Sequence, residues 1–368
     1  MKIMHILPSL YTGGAEKFCV DVCNELAENP ENEVYLCSLE KLNERQQIMY
    51  EKIGKNVHFL SMNKVGKHPT LMFDIYKMLK KMQPDIVHTH LRAQVYAAFG
   101  LIANAIPNVH TVHSLAEKET TAGKRKLYAL LYRYFNFTPV SISDEVLKSV
   151  QAEYGEQFTE KIDNGVQKLT KTEAFDSTKE YVQSLKKDSE TKIFVNIGRV
   201  YPVKNQKLLI EAFDALLDEG VDAHLLIIGS RQIVPEYAKA CEALRRHPER
   251  IHFLDEKSNV ADYLLLADAF CLSSSHEGMP MTILEAMSIG LPTIATPVGG
   301  IPDIIDDGVN GFIANDLTTK SYLHAMERFL ASPKLERTTI VEKFDANYSV
   351  AITTKYYYRL YKRILAKS

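Results

Sequence analysis

Short apolar runs alternate with helical patterns along most of this 368-residue chain. Residues 2–7 form the first apolar run, and residues 15–26 then repeat apolar side chains at helical spacing. Strands that alternate with helices are typical of βαβ units, whose strands lie parallel in one sheet. The pattern therefore predicts an α/β fold. The runs predicted as strands are 2–7, 33–39, 57–60, 85–88, 108–112, 138–141, 192–198, 223–229, 250–254, 269–273 and 292–296. Later helices are predicted near 70–82, 93–104, 124–136, 144–153 and 348–365.

A change of composition divides the chain into two parts. Residues 167–191 are polar and weakly periodic, and we interpret them as a linker. A chain of this length is too long for one ordinary hydrophobic core and suits two domains. Because the alternating pattern resumes after the linker, we expect two doubly wound, Rossmann-like domains, residues 1–166 and 167–347, that face each other across a cleft.

Charge and cysteine content argue against several classes of protein. The formal net charge is −2, so no overall positive field attracts nucleic acid. The five cysteines lie in apolar segments, which favours buried thiols in a reducing compartment over disulfides. Cys19 and Cys23 are one helical turn apart, but no further Cys or His lies nearby in the sequence to complete a zinc site. With no run of about 18 apolar residues and no stretch as long as a signal peptide, we expect a cytoplasmic protein, peripheral on the inner membrane face at most.

Residues 273–311 join a buried strand to a helix through a loop that carries an acid. Glu277 lies in this loop, and Glu285 lies in the helix that follows. Free N–H groups at the start of a helix favour a phosphate, and a nearby carboxylate can bind neutral hydroxyls. The arrangement suits a ligand that is part sugar and part phosphate.

Two further loops follow predicted strands, where ligands bind in doubly wound sheets. Gly13 and Gly14 open the first helix and allow close backbone approach, although such a pair also closes an ordinary tight turn. The chain lacks a full G-x-G-x-x-G here, which argues against a dinucleotide-binding dehydrogenase. Arg199 and Lys204 follow the strand at 192–198, and two cations at this spacing suit a diphosphate leaving group. Taken alone, they are better explained as solvated surface charges.

The segment 273–311 resembles the donor-binding segment of retaining glycosyltransferases with the GT-B fold, especially glycosyltransferase family 4. The two acids and the EAM, G-x-P, GG and NG elements stand in the family's order, and the family's G-R-x-x-x-x-K pattern matches residues 198–204. The resemblance implies that Glu277 and Glu285 hold the donor sugar and the nucleotide ribose. It also implies that Arg199 and Lys204 neutralise the diphosphate as the glycosidic bond breaks. The residues that we assign to substrate binding are Gly13, Gly14, Gly278, Met279, Pro280, Met281 and Glu285.

Histidines at strand ends add to the resemblance. The family carries a histidine at the position of His113 that faces the reacting carbon, so we assign His113 to catalysis beside Glu277 and the two cations. His88 and His90, in PDIVHTHL, are also typical of the family, where they more often cap the strand and pack against its neighbour. Asp163 departs from the family's Pro-Asn-Gly-Val-Asp stretch, which leaves the contacts to the acceptor open.

The resemblance implies a retaining transferase that moves a hexose from a nucleotide diphosphate sugar, with UDP favoured, to a glycan or lipid-linked hydroxyl in surface polysaccharide or glycoconjugate assembly. The donor is a substrate, so no cofactor is expected, and no metal either, because the chain has no Asp-x-Asp triplet. In this family a C-terminal helix, here about 348–368, crosses back to the first, acceptor-side domain. Two alternatives stay open: a sugar-nucleotide 2-epimerase with the same fold, and a non-catalytic subunit that binds a sugar nucleotide.

A possible membrane contact follows from residues 118–137, which combine lysines and arginines with leucines and aromatic residues. Cations beside aromatic side chains on one helix suit the surface of an anionic bilayer. Residues 62–82 add more lysines. An ordinary helix with an inner apolar face and a solvated basic face explains the pattern equally well.

Overall fold

The structure, a computed structural model, describes residues 1–64, 68–332 and 335–367. The chain forms two compact units, which we call unit 1 (Met1–Val166 with Asn347–Ser368) and unit 2 (Gln167–Ala346). Each unit contains a six-stranded parallel sheet with helices packed against it. The predicted α/β class with two Rossmann-like sheets is therefore confirmed.

The sheet of unit 1 has the strand order β3-β2-β1-β4-β5-β6. The order reverses between β1 and β4, and in sheets of this kind ligands bind in the crevice beyond the strand ends at this switch point. Its central strands are buried on both faces, which explains their nearly continuous apolar runs. The strands are β1 (Lys2–Leu7), β2 (Glu33–Glu40), β3 (Val57–Lys64), β4 (Ile86–His90), β5 (Asn108–Val112) and β6 (Phe137–Ser141).

The sheet of unit 2 has the order β12-β11-β10-β7-β8-β9. Numbered from its own first strand and viewed from the other edge, this is the same order as in unit 1. Its switch point therefore lies between β7 and β10. The strands are β7 (Lys192–Ile197), β8 (Ala223–Ile228), β9 (Ile251–Leu254), β10 (Ala269–Leu272), β11 (Thr293–Ala295) and β12 (Gly311–Ile313). The sequence did not predict β12, because this three-residue edge strand has too few residues to show a period.

Helices connect the strands and cover the faces of both sheets. Those before unit 2 are α1 (Gly14–Ala27), α2 (Gln47–Tyr50), α3 (Leu71–Met82), α4 (Ala93–Ala103), α5 (Ala116–Glu119), α6 (Ala122–Tyr134) and α7 (Asp144–Tyr154). Those of unit 2 are α8 (Phe175–Leu185), α9 (Gln206–Asp218), α10 (Pro235–Leu244), α11 (Val260–Leu266), α12 (Met281–Ser288), α13 (Ile301–Ile304), α14 (Thr319–Ala331) and α15 (Arg337–Asn347). The last helix is α16 (Val350–Leu365), and short 3-10 turns span Glu44–Gln46 and Pro202–Lys204.

Two predictions about helices are wrong. The proposed linker at 167–191 contains α8, which buries only Thr178 and Val182 and therefore shows little apolar periodicity. Residues 118–137 are not one helix, because α5 ends at Glu119, Thr120 and Thr121 have extended backbones, and α6 begins at Ala122. Threonine favours helix ends over helix interiors.

The C-terminal helix α16 belongs to unit 1. Val166 donates to the carbonyl of Tyr348 at 3.0 Å and accepts from the N–H of Val350 at 3.0 Å. Gly165 permits this contact, because a Cβ atom there would lie 2.6 Å from the carbonyl oxygen of Ser349. The inner face of α16 is fully buried at Tyr357 and near it, so this helix completes the core of unit 1.

All five cysteines are free and buried, which confirms the expectation from the sequence. Burial raises the pKa of the Cys37 thiol to about 12 and that of the Cys271 thiol to about 12. Cys37 and Cys271 therefore pack as small apolar groups and are poor nucleophiles.

Candidate functional site

The loops after β7 and β10 lie side by side at the switch point of unit 2, because these two strands are paired. In this loop pair, Glu277 Oε1 accepts a hydrogen bond from Lys204 Nζ at 2.6 Å. The same oxygen accepts from Ser274 Oγ at 2.6 Å. The carboxylate side chain is 11% exposed and the lysine side chain 26%, so the pair is only partly screened by water. The structure thus brings together two of the four residues assigned to catalysis.

A run of serines fastens the two loops to each other. Ser273 Oγ donates to the carbonyl of Lys204 at 2.9 Å, and the N–H of Ser275 donates to the carbonyl of Val203 at 2.8 Å. Thr296 Oγ1, at the end of β11, donates to the carbonyl of Ser274 at 2.6 Å. Sequence reasoning missed these serines, although three hydroxyls directly after a buried strand are a detectable signal of a pinned loop.

The position of Arg199 depends on close backbone contact between neighbouring strands. A Cβ atom at Gly229, after β8, would overlap the carbonyl oxygen of Gly198. Gln206 is fully buried, donates to the Arg199 carbonyl at 3.0 Å and accepts from the N–H of Tyr201 at 3.3 Å. The guanidinium of Arg199 is exposed and makes no salt bridge with any residue that the structure describes. It is therefore available to an anionic ligand. Gln206 is a second positioning side chain that the sequence analysis missed.

Helix α12 carries the second acid. Glu285 is buried one turn inside this helix, and the residue is 6% exposed. Pro280 precedes the first helical residue, Met281, and Met279 packs beside them with 6% exposure. The carbonyl of Gly278 accepts from the N–H of Gly300 at 2.9 Å, which ties the acidic loop to the glycine turn after β11. The residues assigned from 277 to 285 thus surround one helix N-terminus.

The Gly13-Gly14 turn of unit 1 opens helix α1. Gly13 caps α1 with an extended backbone, and the Glu16 carboxylate lies directly over it, where a Cβ atom would collide with Oε2 of Glu16. A carboxylate at a helix N-terminus takes the place that suits a phosphate. The assignment of Gly13 and Gly14 to substrate binding stays a prediction.

His113 follows β5 and is partly exposed. Its Nε2 lies 3.1 Å from Nδ1 of His90, and its ring packs edge-on against Phe18. Loss of hydration lowers the pKa of His113 to about 3, so the ring is neutral at physiological pH. A neutral ring can exchange hydrogen bonds with a ligand, but it supplies no positive charge.

His88 and His90 are fully buried in β4, as expected for residues that pack against a neighbouring strand. Burial lowers the pKa of both rings well below the ordinary value. His5, on the neighbouring β1, is also fully buried, and its Nδ1 lies 3.1 Å from Nε2 of His90.

One group of side chains in the described part of the chain has a geometry that could hold a metal ion. Ligand atoms of His5, Cys19 and His90 lie within 4.8 Å of one another, and Cys19 Sγ is 3.8 Å from His5 Nδ1. The statement that no histidine lies near Cys19 holds along the sequence but is wrong in space, because α1 packs on β1 and brings His5 beside it. The three atoms are fully buried.

The sequence of the chain matches two glycosyltransferase family models and a characterised relative. Residues 177–343 match the family model described as Glycosyl transferases group 1, and residues 12–167 match Glycosyltransferase Family 4. The chain is 27% identical over 274 residues to the UDP-Gal:alpha-D-GlcNAc-diphosphoundecaprenol alpha-1,3-galactosyltransferase of Escherichia coli, which covers 70% of this chain and 69% of the relative.

Solved structures show the same fold over the full length. A glycosyltransferase from Rickettsia africae has a TM-score of 0.83 at 20% identity, with 100% of this chain and 99% of that chain covered. Anabaena HepE, solved in complex with UDP-glucose, has a TM-score of 0.80 at 17% identity, with 98% and 99% covered. Together with the two family models, these similarities show that the chain is a GT-B-fold glycosyltransferase of the family 4 type.

Proposed function

We propose that the protein is a retaining hexosyltransferase that uses a UDP-sugar as donor. The observation that carries this proposal is the Lys204–Glu277 pair at the switch point of unit 2, 2.6 Å apart and pinned by serines. The E. coli relative is named for transfer from UDP-Gal, and the Anabaena neighbour was solved with UDP-glucose. Both names support a UDP-sugar donor.

The pair suggests how the donor is recognised. Without a ligand, the two side chains neutralise each other. An incoming diphosphate brings negative charge that competes with Glu277 for Lys204 and attracts the exposed Arg199. Lys204 then stabilises the leaving diphosphate, and the released carboxylate accepts a hydrogen bond from a hydroxyl of the donor sugar. In this scheme Glu285 binds the ribose, His113 hydrogen-bonds to substrate, and no metal is needed to neutralise the phosphates.

We propose a lipid-linked glycan as the acceptor, since the E. coli relative is named for a diphosphoundecaprenol substrate. None of the described helices is long and apolar enough to cross a membrane. The outward face of α6 offers a peripheral contact instead: Leu130 is 53% exposed and Tyr134 67%, and Lys126 and Arg133 are exposed beside them. A helix face that exposes apolar and basic side chains together is better suited to the surface of an anionic bilayer than to bulk solvent.

The structure also changes which cations of α6 are free for lipid. Arg125 Nε donates to Glu153 at 2.9 Å, and its Nη1 donates to the carbonyl of Glu117 at 3.0 Å. Arg125 therefore holds α6 in place. Of the basic segment 62–82, residues 65–67 lie outside the described residues, and Lys77 and Lys80 lie over the rings of Phe73 and Tyr76.

A donor panel tests the proposal. The full-length protein is incubated with UDP-, GDP- and ADP-hexoses, with and without a diphospholipid-linked sugar, and nucleotide release and product anomer are followed by NMR. We expect acceptor-dependent UDP release and a product that keeps the donor's anomeric configuration. An isomerised sugar that stays on its nucleotide would identify an epimerase. Binding without any release would identify a non-catalytic subunit, and an inverted anomer would refute the retaining mechanism.

A further inference from the structure

An unbroken chain of hydrogen-bonding contacts runs through the core of unit 1, from Tyr357 on α16 to His113. Each imidazole ring between the two ends uses both of its nitrogens in the chain. The links are Tyr357 Oη–Thr111 Oγ1 (2.8 Å), Thr111 Oγ1–His88 Nε2 (2.7 Å), His88 Nδ1–Tyr361 Oη (2.6 Å), Tyr361 Oη–His5 Nε2 (3.5 Å), His5 Nδ1–His90 Nε2 (3.1 Å) and His90 Nδ1–His113 Nε2 (3.1 Å).

Each member of this chain has one hydrogen to donate. A hydroxyl always has one, and a neutral imidazole has one, on either nitrogen. The lowered pKa values of His88, His90 and His113 make these rings neutral at physiological pH. With one hydrogen on His5, which is fully buried, the chain holds seven hydrogens for six links. A second hydrogen on His5 would not change the direction from His5 to His113, because Nδ1 of His5 would still donate to His90.

One hydrogen must remain outside the links. It is not that of Thr111 or Tyr361, because both hydroxyls are fully buried and would lose their acceptor. It therefore lies at one end of the chain, and that end decides the direction of all the others. At the first end it would be the hydroxyl hydrogen of Tyr357, which is fully buried and has Thr111 as its only hydrogen-bond partner among the described residues. A buried donor without an acceptor is costly. At the other end it would be on Nδ1 of His113, a partly exposed ring that solvent or a ligand can reach.

We propose that the hydrogens all point from Tyr357 toward His113, so that His113 accepts through Nε2 and keeps its hydrogen on Nδ1. The same direction places the hydrogen on Nδ1 in His5, His88 and His90 as well. The opposite direction would place it on Nε2 in all of them. Tyr357 and His90 are therefore positioning residues, which act on substrate only through His113. The weakest link, 3.5 Å between Tyr361 and His5, does not alter the outcome for His113, provided that His5 donates to His90.

The consequence for catalysis rests on the proposed function. If His113 contacts the sugar donor or the acceptor, it does so as a hydrogen-bond donor through Nδ1. It cannot serve there as a general base, because its other nitrogen is already occupied by the N–H of His90.

Nitrogen-15 NMR of the full-length protein, labelled at histidine, tests the direction without any substrate. Two-bond correlations to the ring carbons distinguish protonated from unprotonated ring nitrogens, and a His113→Asn variant assigns the terminal ring. We expect Nδ1–H in all four rings. Nε2–H in His90 or His113 would overturn the proposal. Protein-bound zinc in elemental analysis, together with an unprotonated His5 Nδ1, would also overturn it, since a metal at His5, Cys19 and His90 would replace the hydrogen between the two rings.

A matched pair of variants tests the role of His90. The amide of His90→Asn lies close to the position of Nδ1 and keeps a donor for His113, whereas the amide of His90→Gln reaches the position of Nε2 and loses that donor. We expect His90→Asn to keep the His113 tautomer and most of kcat, and His90→Gln to lose the single tautomer and about tenfold or more in kcat, at similar donor KM. Thermal unfolding of both proteins controls for stability. Equal kcat losses, with the tautomer unchanged in both, would refute the positioning role. If the protein proves to have no transferase activity, the NMR result still decides the direction.

Discussion

The two units have the same strand order but opposite chemistry at their switch points. In unit 2 the paired strands β7 and β10 lead into loops that hold Lys204 against Glu277, with Arg199 exposed nearby. In unit 1 the paired strands β1 and β4 carry fully buried histidines, His5 and His90. Topology thus determines where polar groups gather, and their distance from water determines whether they are charged.

The physical reason lies in where the polar residues stand relative to the strand end. In unit 2 they come after the last strand residue, so part of each side chain stays hydrated and its charge costs little. In unit 1 they lie within the strands, where burial disfavours an imidazolium and a hydrogen-bond chain replaces the charge. A phosphate needs the first arrangement. The second suits the orientation of a neutral group.

Acidification should destabilise unit 1 more than unit 2, and this is the largest effect that we predict. The pKa values of His88, His90 and His113 are lowered in the folded state, so below about pH 6.5 the unfolded chain binds more protons than the folded one. The free energy of unfolding of unit 1 should therefore decrease as the pH is lowered, by up to about 1.4 kcal/mol per pH unit for each histidine. Urea unfolding and hydrogen exchange, corrected for intrinsic rates, measure this between about pH 7 and pH 5.

Unit 2 provides the control for this experiment. His224 and His252 also have lowered pKa values, but they stack at the sheet edge formed by β8 and β9. Acidification should destabilise unit 2 less than unit 1. His224→Asn should reduce this loss of stability in unit 2 and leave the loss in unit 1 unchanged. If unit 2 opened first on acidification, the contrast between a charged and a neutral switch point would not hold.

Substitutions of the two acids of unit 2, Glu277 and Glu285, should change different kinetic constants. Glu277→Gln keeps the shape but loses the charge beside the reacting sugar, so kcat should fall about a hundredfold or more, about 2.7 kcal/mol. Glu285→Ala should instead raise donor KM with little change in kcat, because a ribose contact is made alike in the ground and transition states. Steady-state kinetics with a UDP-sugar measures both, with Ser275→Ala as a control in the same loop. Equal kcat losses would contradict this division of roles.

Charge reversal on α6 should weaken membrane binding by a smaller amount. Replacing Lys124, Lys126 and Arg133 by glutamate should reduce sedimentation with phosphatidylserine vesicles by about 1 kcal/mol per residue. Arg125 is left in place because it pairs with Glu153. The matched control reverses two exposed lysines of unit 2, Lys239 and Lys320. Unchanged sedimentation would mean that the exposed leucines and aromatic residues of α6 serve another purpose.

Removal of divalent metal should have no effect on transfer. If Arg199 and Lys204 supply the positive charge for the diphosphate, activity in excess EDTA should equal activity with added Mg²⁺ or Mn²⁺. Loss of activity in EDTA and recovery with either metal would show that the cations of unit 2 are insufficient.

The sequence predicts most of the fold because the parallel strands are buried on both faces and therefore read as apolar runs. The sequence does not predict elements with little buried surface. Helix α8 lies in a polar stretch and buries only Thr178 and Val182, and β12 has only three residues. The break between α5 and α6 was readable in the Thr120-Thr121 pair, but the apolar pattern on either side outweighed it.

The candidate site shows the same limit. That Lys204 and Glu277 follow strand ends is visible in the sequence, but their contact depends on the pairing of β7 with β10, which no local pattern reveals. The histidine chain depends even more on topology. His5 lies directly opposite His88 because β1 pairs with β4, although 83 residues separate them, and the hydroxyls that complete the chain come from α16. Such long-range pairings follow from the packed fold and not from residue spacing.

The return of α16 to unit 1 has a consequence for the order in which the protein is completed during synthesis. The ribosome makes the whole sheet of unit 1 before unit 2, but Tyr357 and Tyr361 are made only after all of unit 2. Until then His88 and Thr111 lack the phenol partners that they have in the finished core. Unit 2 is one uninterrupted stretch and can finish folding as soon as it leaves the ribosome. The domain that is made first is therefore the one that is finished last, and any nascent chain that stops short of α16 carries an incomplete histidine core.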